Sequence, residues 1–310
     1  MTKKKRFALS GALAMLALSL PAGPGRAEEP TQLTLGYGLT ADYLPAYIAK
    51  ENGIFAKHGL DVTMKAVTSS SLAPPALVSN SLQISQATPP NLLLANDGGM
   101  DLVSVAGVGR LTAAHPHTSL VTHEGFTINK PQDLIGKKIA VPGINSAMDL
   151  VLRKWLLDGH VKLNQVTITE APFQQMGDML KSGQLDAAFQ FEPLLSRTLK
   201  SGSAVKSLDI MSMTNPDVLG AIYMSTREWA NAHREAIKAF NQSLAEAISF
   251  AKAHPDEAHK IEAKYIGYSI PGLPDVSLEV KPQDFKFWAD VCDEVGVLHR
   301  KVDAATLIFH

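Results

Sequence analysis

Short apolar runs alternate with helical patterns along the chain, and this alternation is the strongest constraint on its fold. Residues 33–37 read as a strand and 44–51 as a helix closed by Asn52 and Gly53, a pair that ends helices because glycine takes the left-handed backbone at little cost. Residues 61–65 alternate with period two, 72–79 read as helix, 82–86 as strand, 91–95 as helix and 102–107 as a β-branched strand. Such alternation predicts a mostly parallel sheet with helices on both faces.

A second series follows. Residues 120–122 and 138–141 read as strands, 147–158 as a helix ended by Gly159, 166–169 as a strand, 175–181 as a helix ended near Gly183, and 187–191 as a strand. A helix over 193–200 and a strand over 204–208 complete it. Breaks at Gly107-Val-Gly109-Arg110 with His115-Pro116, and at Thr214-Asn215-Pro216, separate this series from its flanks. Another strand at 221–225 and helices over 228–253, 256–265 and 282–295 follow. The economical architecture is α/β with two lobes. Residues 28–110 and 215–310 form one lobe, and 111–214 are inserted as the other. Two crossings make a hinge, and a hinge between lobes makes a cleft that closes.

The amino terminus has its own pattern. Lys3, Lys4, Lys5 and Arg6 precede an uncharged run over 7–20, and Pro21 to Ala27 supply a helix stop and small residues. This is the layout of a secretory signal peptide, with cleavage expected after Ala27. The apolar run of about 14 residues is short of the roughly 20 that span a bilayer. Without residues 1–27, the 29 basic residues fall by five to 24, against 30 acidic, a net charge of −6. That balance argues against nucleic acid, which is bound largely through Lys and Arg at phosphates. Cys292 is the single cysteine, so stability rests on packing. No unusual apolar surface stretch is evident, and a monomer is expected.

Four stretches then carry a resemblance. Tyr43-Leu-Pro-Ala-Tyr-Ile-Ala-Lys-Glu-Asn-Gly-Ile-Phe-Ala-Lys-His-Gly-Leu-Asp-Val62 resembles the opening of the nitrate/sulfonate/taurine-binding proteins of the NMT1/THI5-like group. Leu134-Ile-Gly-Lys-Lys-Ile-Ala-Val141 before the Asn145-Ser146 turn, Gly183-Gln-Leu-Asp-Ala-Ala188, and Phe191-Glu192-Pro193 agree in order and spacing. The resemblance covers roughly residues 32–250. It implies a type II periplasmic-binding-protein fold, with a small molecule held between lobes and delivered to the permease subunits of an ABC importer.

In open α/β sheets ligands sit beyond the carboxyl ends of strands. That rule selects the loops 38–43, 68–71, 88–91, 107–110, 143–146, 171–173 and 191–192. Ser69, Ser70 and Ser71 precede a helix, Thr88 is followed by Pro89 in a first turn, and Asn145 and Ser146 open another helix. Free N–H groups at helix starts with hydroxyls beside them suit an anionic headgroup, and simple capping explains the same residues. Arg110 is the lone cation between Ala66 and His123. It either binds a carboxylate or sulfonate in bidentate fashion or forms a hinge salt bridge. Tyr43, Phe173 and Phe191 are apolar walls or core. Asp42 meets an amine or caps the helix after it, and Glu192 lies in the last loop.

No Gly-x-Ser-x-Gly elbow, phosphate loop or His-Glu-x-x-His appears, and Gly36-Tyr-Gly38 lacks the third glycine of a dinucleotide fingerprint. His115, His117 and His123 do not have the spacing of a closed zinc site. No cofactor is expected. The expected function is binding of a small organic anion: a sulfonate, taurine or an aromatic carboxylate. Nitrate or a thiamine-precursor pyrimidine is the alternative ligand. The rival class is an enzyme on the same fold, in pyrimidine or menaquinone synthesis. The resemblance implies a cysteine-rich motif for the pyrimidine synthases, which this chain lacks.

Overall fold

The computed structural model describes residues 29–112, 118–214, 217–269 and 272–310. The expected export segment, the His115-Pro116-His117 stretch and Asn215-Pro216 lie outside the described residues. The chain begins β1 (Thr31–Tyr37), α1 (Leu44–Glu51), α2 (Ile54–Lys57), β2 (Leu60–Ala66), α3 (Ala73–Val78), β3 (Ile84–Ala87), α4 (Pro89–Asp97) and β4 (Leu102–Thr112). It continues with β5 (Thr118–Thr122), β6 (Lys138–Val141), α5 (Ala147–Asp158), β7 (Thr167–Glu170), α6 (Phe173–Lys181), β8 (Ala187–Phe191), α7 (Leu194–Lys200), β9 (Val205–Leu208) and α8 (Ile210–Thr214). Then come β10 (Asp217–Thr226), α9 (Arg227–Ala232), α10 (Arg234–Ala253), α11 (Pro255–Ile266) and α12 (Pro282–Val295).

Two sheets result, in the orders β2-β1-β3-β10-β4 and β7-β6-β8-β5-β9. The chain leaves the first sheet after β4 and re-enters it at β10. Both sheets are mixed but mostly parallel, as expected: in each, four strands run one way and a single strand, β10 or β5, runs against them. β10 runs antiparallel to β3 and β4, and β5 antiparallel to β8 and β9. The reversed strands, β5 and β10, are those that the chain enters on crossing from one sheet to the other.

Local chemistry sets most element ends. Asn91 Oδ1 accepts from the Thr88 amide at 3.1 Å and from its hydroxyl at 2.7 Å at the start of α4, and the helix's prolines sit in the first turn, where a missing N–H costs nothing. Ser146 Oγ accepts the Asp149 amide at 3.4 Å to open α5. The expected break at 107–110 is instead a continuation of β4, held by β10 as far as Thr112↔Asp217. Its glycines serve close approach. The Gly107 amide donates to the Leu278 carbonyl at 2.9 Å, and a Cβ there would lie 2.7 Å from the Glu279 oxygen. The expected single helix over 228–253 is two, α9 and α10, joined at His233.

One apolar cluster runs beneath both sheets. α12 supplies buried Phe285, Trp288, Val291, Cys292 and Val295 at helical spacing. These pack with Leu92 and Leu93 of α4 and Leu150 and Val151 of α5. Trp288 is fully buried, and its indole N–H donates to the Leu219 carbonyl at 2.7 Å. A second cluster lies under α1 and α10, with Phe55 stacked on Phe240. A third, around Val121, Met176 and Leu180, belongs to the second sheet. Among the described residues, no helix is long and apolar enough to cross a membrane.

Candidate functional site

A cleft lies between the sheets at the carboxyl ends of their strands, with about 90 Å³ of room for the centres of water-sized molecules. The loops after β1, β2 and β3 form one wall, and those after β6, β7 and β8 form the other. This is the placement expected of an open α/β sheet. Asp42, Tyr43, Ser69, Ser70, Thr88, Ser146, Phe173 and Phe191 all line it.

The walls are largely apolar. Phe173 and Phe191 stand with ring centroids 6.4 Å apart, and Met148 and Leu111 add to them. Tyr43 is buried, donates from its hydroxyl to Gln86 Oε1 at 3.1 Å, and meets the Tyr223 ring edge-on at 5.5 Å. Burial, then the neighbouring Tyr223 and Asp42, push its hydroxyl well above the usual tyrosine range. Tyr43 therefore stays a neutral donor that fixes Gln86.

Asp42 sits in a single 3-10 turn, Ala41–Tyr43, and its carboxylate makes no capping bond to α1. It is 5% exposed. Burial first, and the charge of Asp275 second, push it up to about 7. The carboxylate lies over Gly109, where an added Cβ would meet its atoms at 2.8–3.0 Å. Among the described residues, Asp42 is the one charged side chain lining the cleft.

Five residues expected at the ligand stand elsewhere. Arg110 does not line the cleft. Its guanidinium bonds Asp217 at 2.7 Å and the buried Asp284 at 3.0 Å, so the salt-bridge alternative is the one realised. Arg110→Ala strands the Asp284 charge and is expected to cost about 2–3 kcal/mol after allowing for partial exposure. Ligand affinity should stay unchanged. Thermal melts beside a titration check this, and an affinity loss without a stability loss would contradict the assignment.

Ser71 turns to the rim, where its hydroxyl bonds the Glu170 carboxylate at 3.2 Å. Pro89 is buried in the first turn of α4. Asn145 takes a left-handed backbone, φ 61°, and its carbonyl accepts from Asn91 Nδ2 at 3.3 Å. Glu192 spends its carboxylate on the Ser196 amide and hydroxyl at 3.1 and 2.9 Å. Each of these side chains or carbonyls is satisfied within the protein. Gln86, Met148 and Gln174, which do line the cleft, were missed. Gln86 sits inside β3, and Met148 and Gln174 lie beyond the loop ends used for the selection.

Hydrogen bonds cross the mouth of the cleft. Besides Ser71–Glu170, the Ala41 amide donates to the Glu192 carbonyl at 3.4 Å, and the Ala147 amide donates to Thr88 Oγ1 at 3.3 Å. The lone cysteine is remote in kind. Cys292 is buried in α12, and burial followed by Asp97 push its thiol up to about 12.

Two α/β lobes joined by two crossings, with a cleft at the strand ends, define a periplasmic-binding-protein fold. The alkanesulfonate-binding protein SsuA from Xanthomonas axonopodis pv. citri, bound to MOPS, shares it with a TM-score of 0.77 and 21% identity, over 91% of this chain and 99% of that one. The chain belongs to the NMT1/THI5-like family, whose model matches residues 40–258. A candidate binding protein of Brucella abortus (strain 2308) is 29% identical over 74% of this chain and 70% of that protein. The taurine-binding periplasmic protein of Escherichia coli (strain K12) is 26% identical over 83% of this chain and 75% of that protein.

Proposed function

We propose that this chain is the exported, periplasmic solute-binding component of an ABC importer, holding one small organic molecule in the cleft and presenting it to permease subunits. The observation that carries this reading is the cleft itself. Loops from both sheets line it, its walls are apolar and aromatic with a few placed polar groups, and hydrogen bonds bridge its mouth. That composition is typical of small-molecule sites. The names of the taurine- and sulfonate-binding relatives support the same role. Binding is favoured over catalysis because the relatives named above are binding proteins by name and the one thiol is packed in the core.

An anionic ligand retains one supporting feature, the hydroxyls of Ser69, Ser70, Thr88 and Ser146 along the cleft. It has lost Arg110, the cation that would have balanced its charge.

The test is a thermal-shift screen of residues 28–310, refolded to strip carried-over solute, against sulfonates, taurine, nitrate, aromatic acids and amines. A ligand at a hundred times its dissociation constant adds about 2.7 kcal/mol, a rise of several degrees for a chain of this size. Gly143→Leu is expected to abolish the shift. A Cβ at Gly143 would lie 2.9 and 3.0 Å from the Ser70 and Ser69 hydroxyls of the opposite wall, so a larger side chain wedges the cleft apart. A shift that persists in Gly143→Leu would place binding elsewhere.

A further inference from the structure

We infer that Asp42 selects the ligand, and that the molecule held in the cleft presents a basic or N–H-bearing nitrogen group, such as an amine, an amidine or an aminated aromatic ring, to its carboxylate. The inference rests on the binding reading above and specifies its substrate class.

The first observation is the state of the carboxylate. It is almost wholly buried and faces the cleft, yet no donor or cation among the described residues engages it. A buried carboxylate is costly unless paired and hydrogen-bonded. The groups around it deepen the demand. Asp275 adds a second negative charge, Tyr43 directs its hydroxyl to Gln86 instead, and Tyr223 is held beside it as a neutral phenol. Arg110, close by in sequence to Gly109, is pinned to Asp217 and Asp284. Gly109 gives the carboxylate its place, since any side chain there would occupy it.

The second observation concerns the donors that would serve an anion. The turn leading into α5 has amides suited to an oxyanion, but the protein fills them itself. The Ile144 amide donates to Glu170 Oε2 at 2.9 Å and the Asn145 amide to Asp149 Oδ2 at 2.7 Å. The Ala147 amide is taken by Thr88 Oγ1 and the Asp149 amide by Ser146 Oγ. Asp149, fully buried and paired with Arg153 at 2.7 Å, already complements the positive end of the helix dipole. At this turn a terminal oxyanion would therefore meet spent donors and two carboxylates. A nitrogen group meets an acceptor in want of a partner, with Phe173 and Phe191 to flank an attached ring or chain.

The experiment is calorimetric titration of residues 28–310 and of the Asp42→Asn and Ser70→Ala variants. Benzamidine, benzylamine and 2-aminopyridine form one probe series; benzenesulfonate, benzoate and nitrate form the other. The nitrogen series is expected to bind the parent. Asp42→Asn should weaken it roughly 10- to 100-fold, the range of a charged hydrogen bond, and Ser70→Ala should weaken it far less. Benzamidine affinity should also fall as pH drops from 8 to 5, because the carboxylate takes up a proton, and stay flat across that range in Asp42→Asn. Asp42→Asn is near-isosteric and its melt confirms folding. If the oxyanions bind the parent and Asp42→Asn binds them as well or better, the assignment is overturned while the binding reading stands. If neither series nor any compound of the wider screen binds a folded parent, both are overturned.

Discussion

At pH 8 the ligand-free Asp42→Asn protein is expected to be more stable than the parent, by on the order of 2–4 kcal/mol. The folded state raises the Asp42 carboxyl from 3.8 to about 7, so it holds a proton there more tightly than the unfolded chain does. Between about pH 4 and pH 7 the folded protein binds more protons than the unfolded one, and the parent loses stability as pH rises through that window. Above about 7 the loss is complete. Asparagine carries no such term. Urea unfolding at pH 4, 6 and 8 should show the two proteins converging at pH 4 and diverging towards pH 8. Parallel curves would mean that the carboxylate is solvated or paired in solution. A residue whose removal stabilises the fold is one that stability alone did not place.

Trp288→Ala should act in the opposite direction and independently of pH. The side chain is fully buried in the cluster shared by α4, α5 and α12, and its deletion leaves a cavity as well as losing transfer free energy. About 3–5 kcal/mol is the usual cost, or a melting temperature lower by on the order of 10 °C. Trp288→Phe restores much of the volume but strips the Leu219 carbonyl of its donor. It should lie between the two, roughly 1–3 kcal/mol below the parent. A Trp288→Phe melt equal to that of Trp288→Ala would show the hydrogen bond, not packing, to be the main contribution.

Elements with a local signature were legible from the residues alone. The run from Tyr43 to Val62 encodes α1, its stop at Gly53 and β2 through apolar spacing and glycine. Thr88 and Ser146 announce α4 and α5 through capping chemistry. What stayed hidden depends on partners distant in the chain. The antiparallel insertion of β10 between β3 and β4 is a long-range pairing with no local mark. The two glycines at 107 and 109 read as a break because their real cause, contact with residues 277–279 and Asp42, lies far off in sequence. For the site, the strand-end rule named loops that the cleft brings together but could not say which side chains turn inward. Arg110 illustrates the limit. Its isolation from other charges between Ala66 and His123 marked it as unusual, but its partners Asp217 and Asp284 come more than a hundred residues later. Asp42 differs because the structure leaves its carboxylate unengaged and so separates it from a cap.

The apolar cluster shared by α4, α5 and α12 also bears on where the two lobes are most firmly joined. It joins residues of both lobes, while near Glu192 the lobes meet through polar bonds such as Ser71–Glu170 and Ala41–Glu192 and through Leu194, which is buried with Tyr43 and Leu44 of the first lobe. Water replaces those polar bonds almost without loss, whereas parting the cluster would expose Trp288 and Phe285. Separating the lobes at the rim of Ser71 and Glu192 would therefore be expected to cost less than separating them at α12, where a whole aromatic layer would meet water.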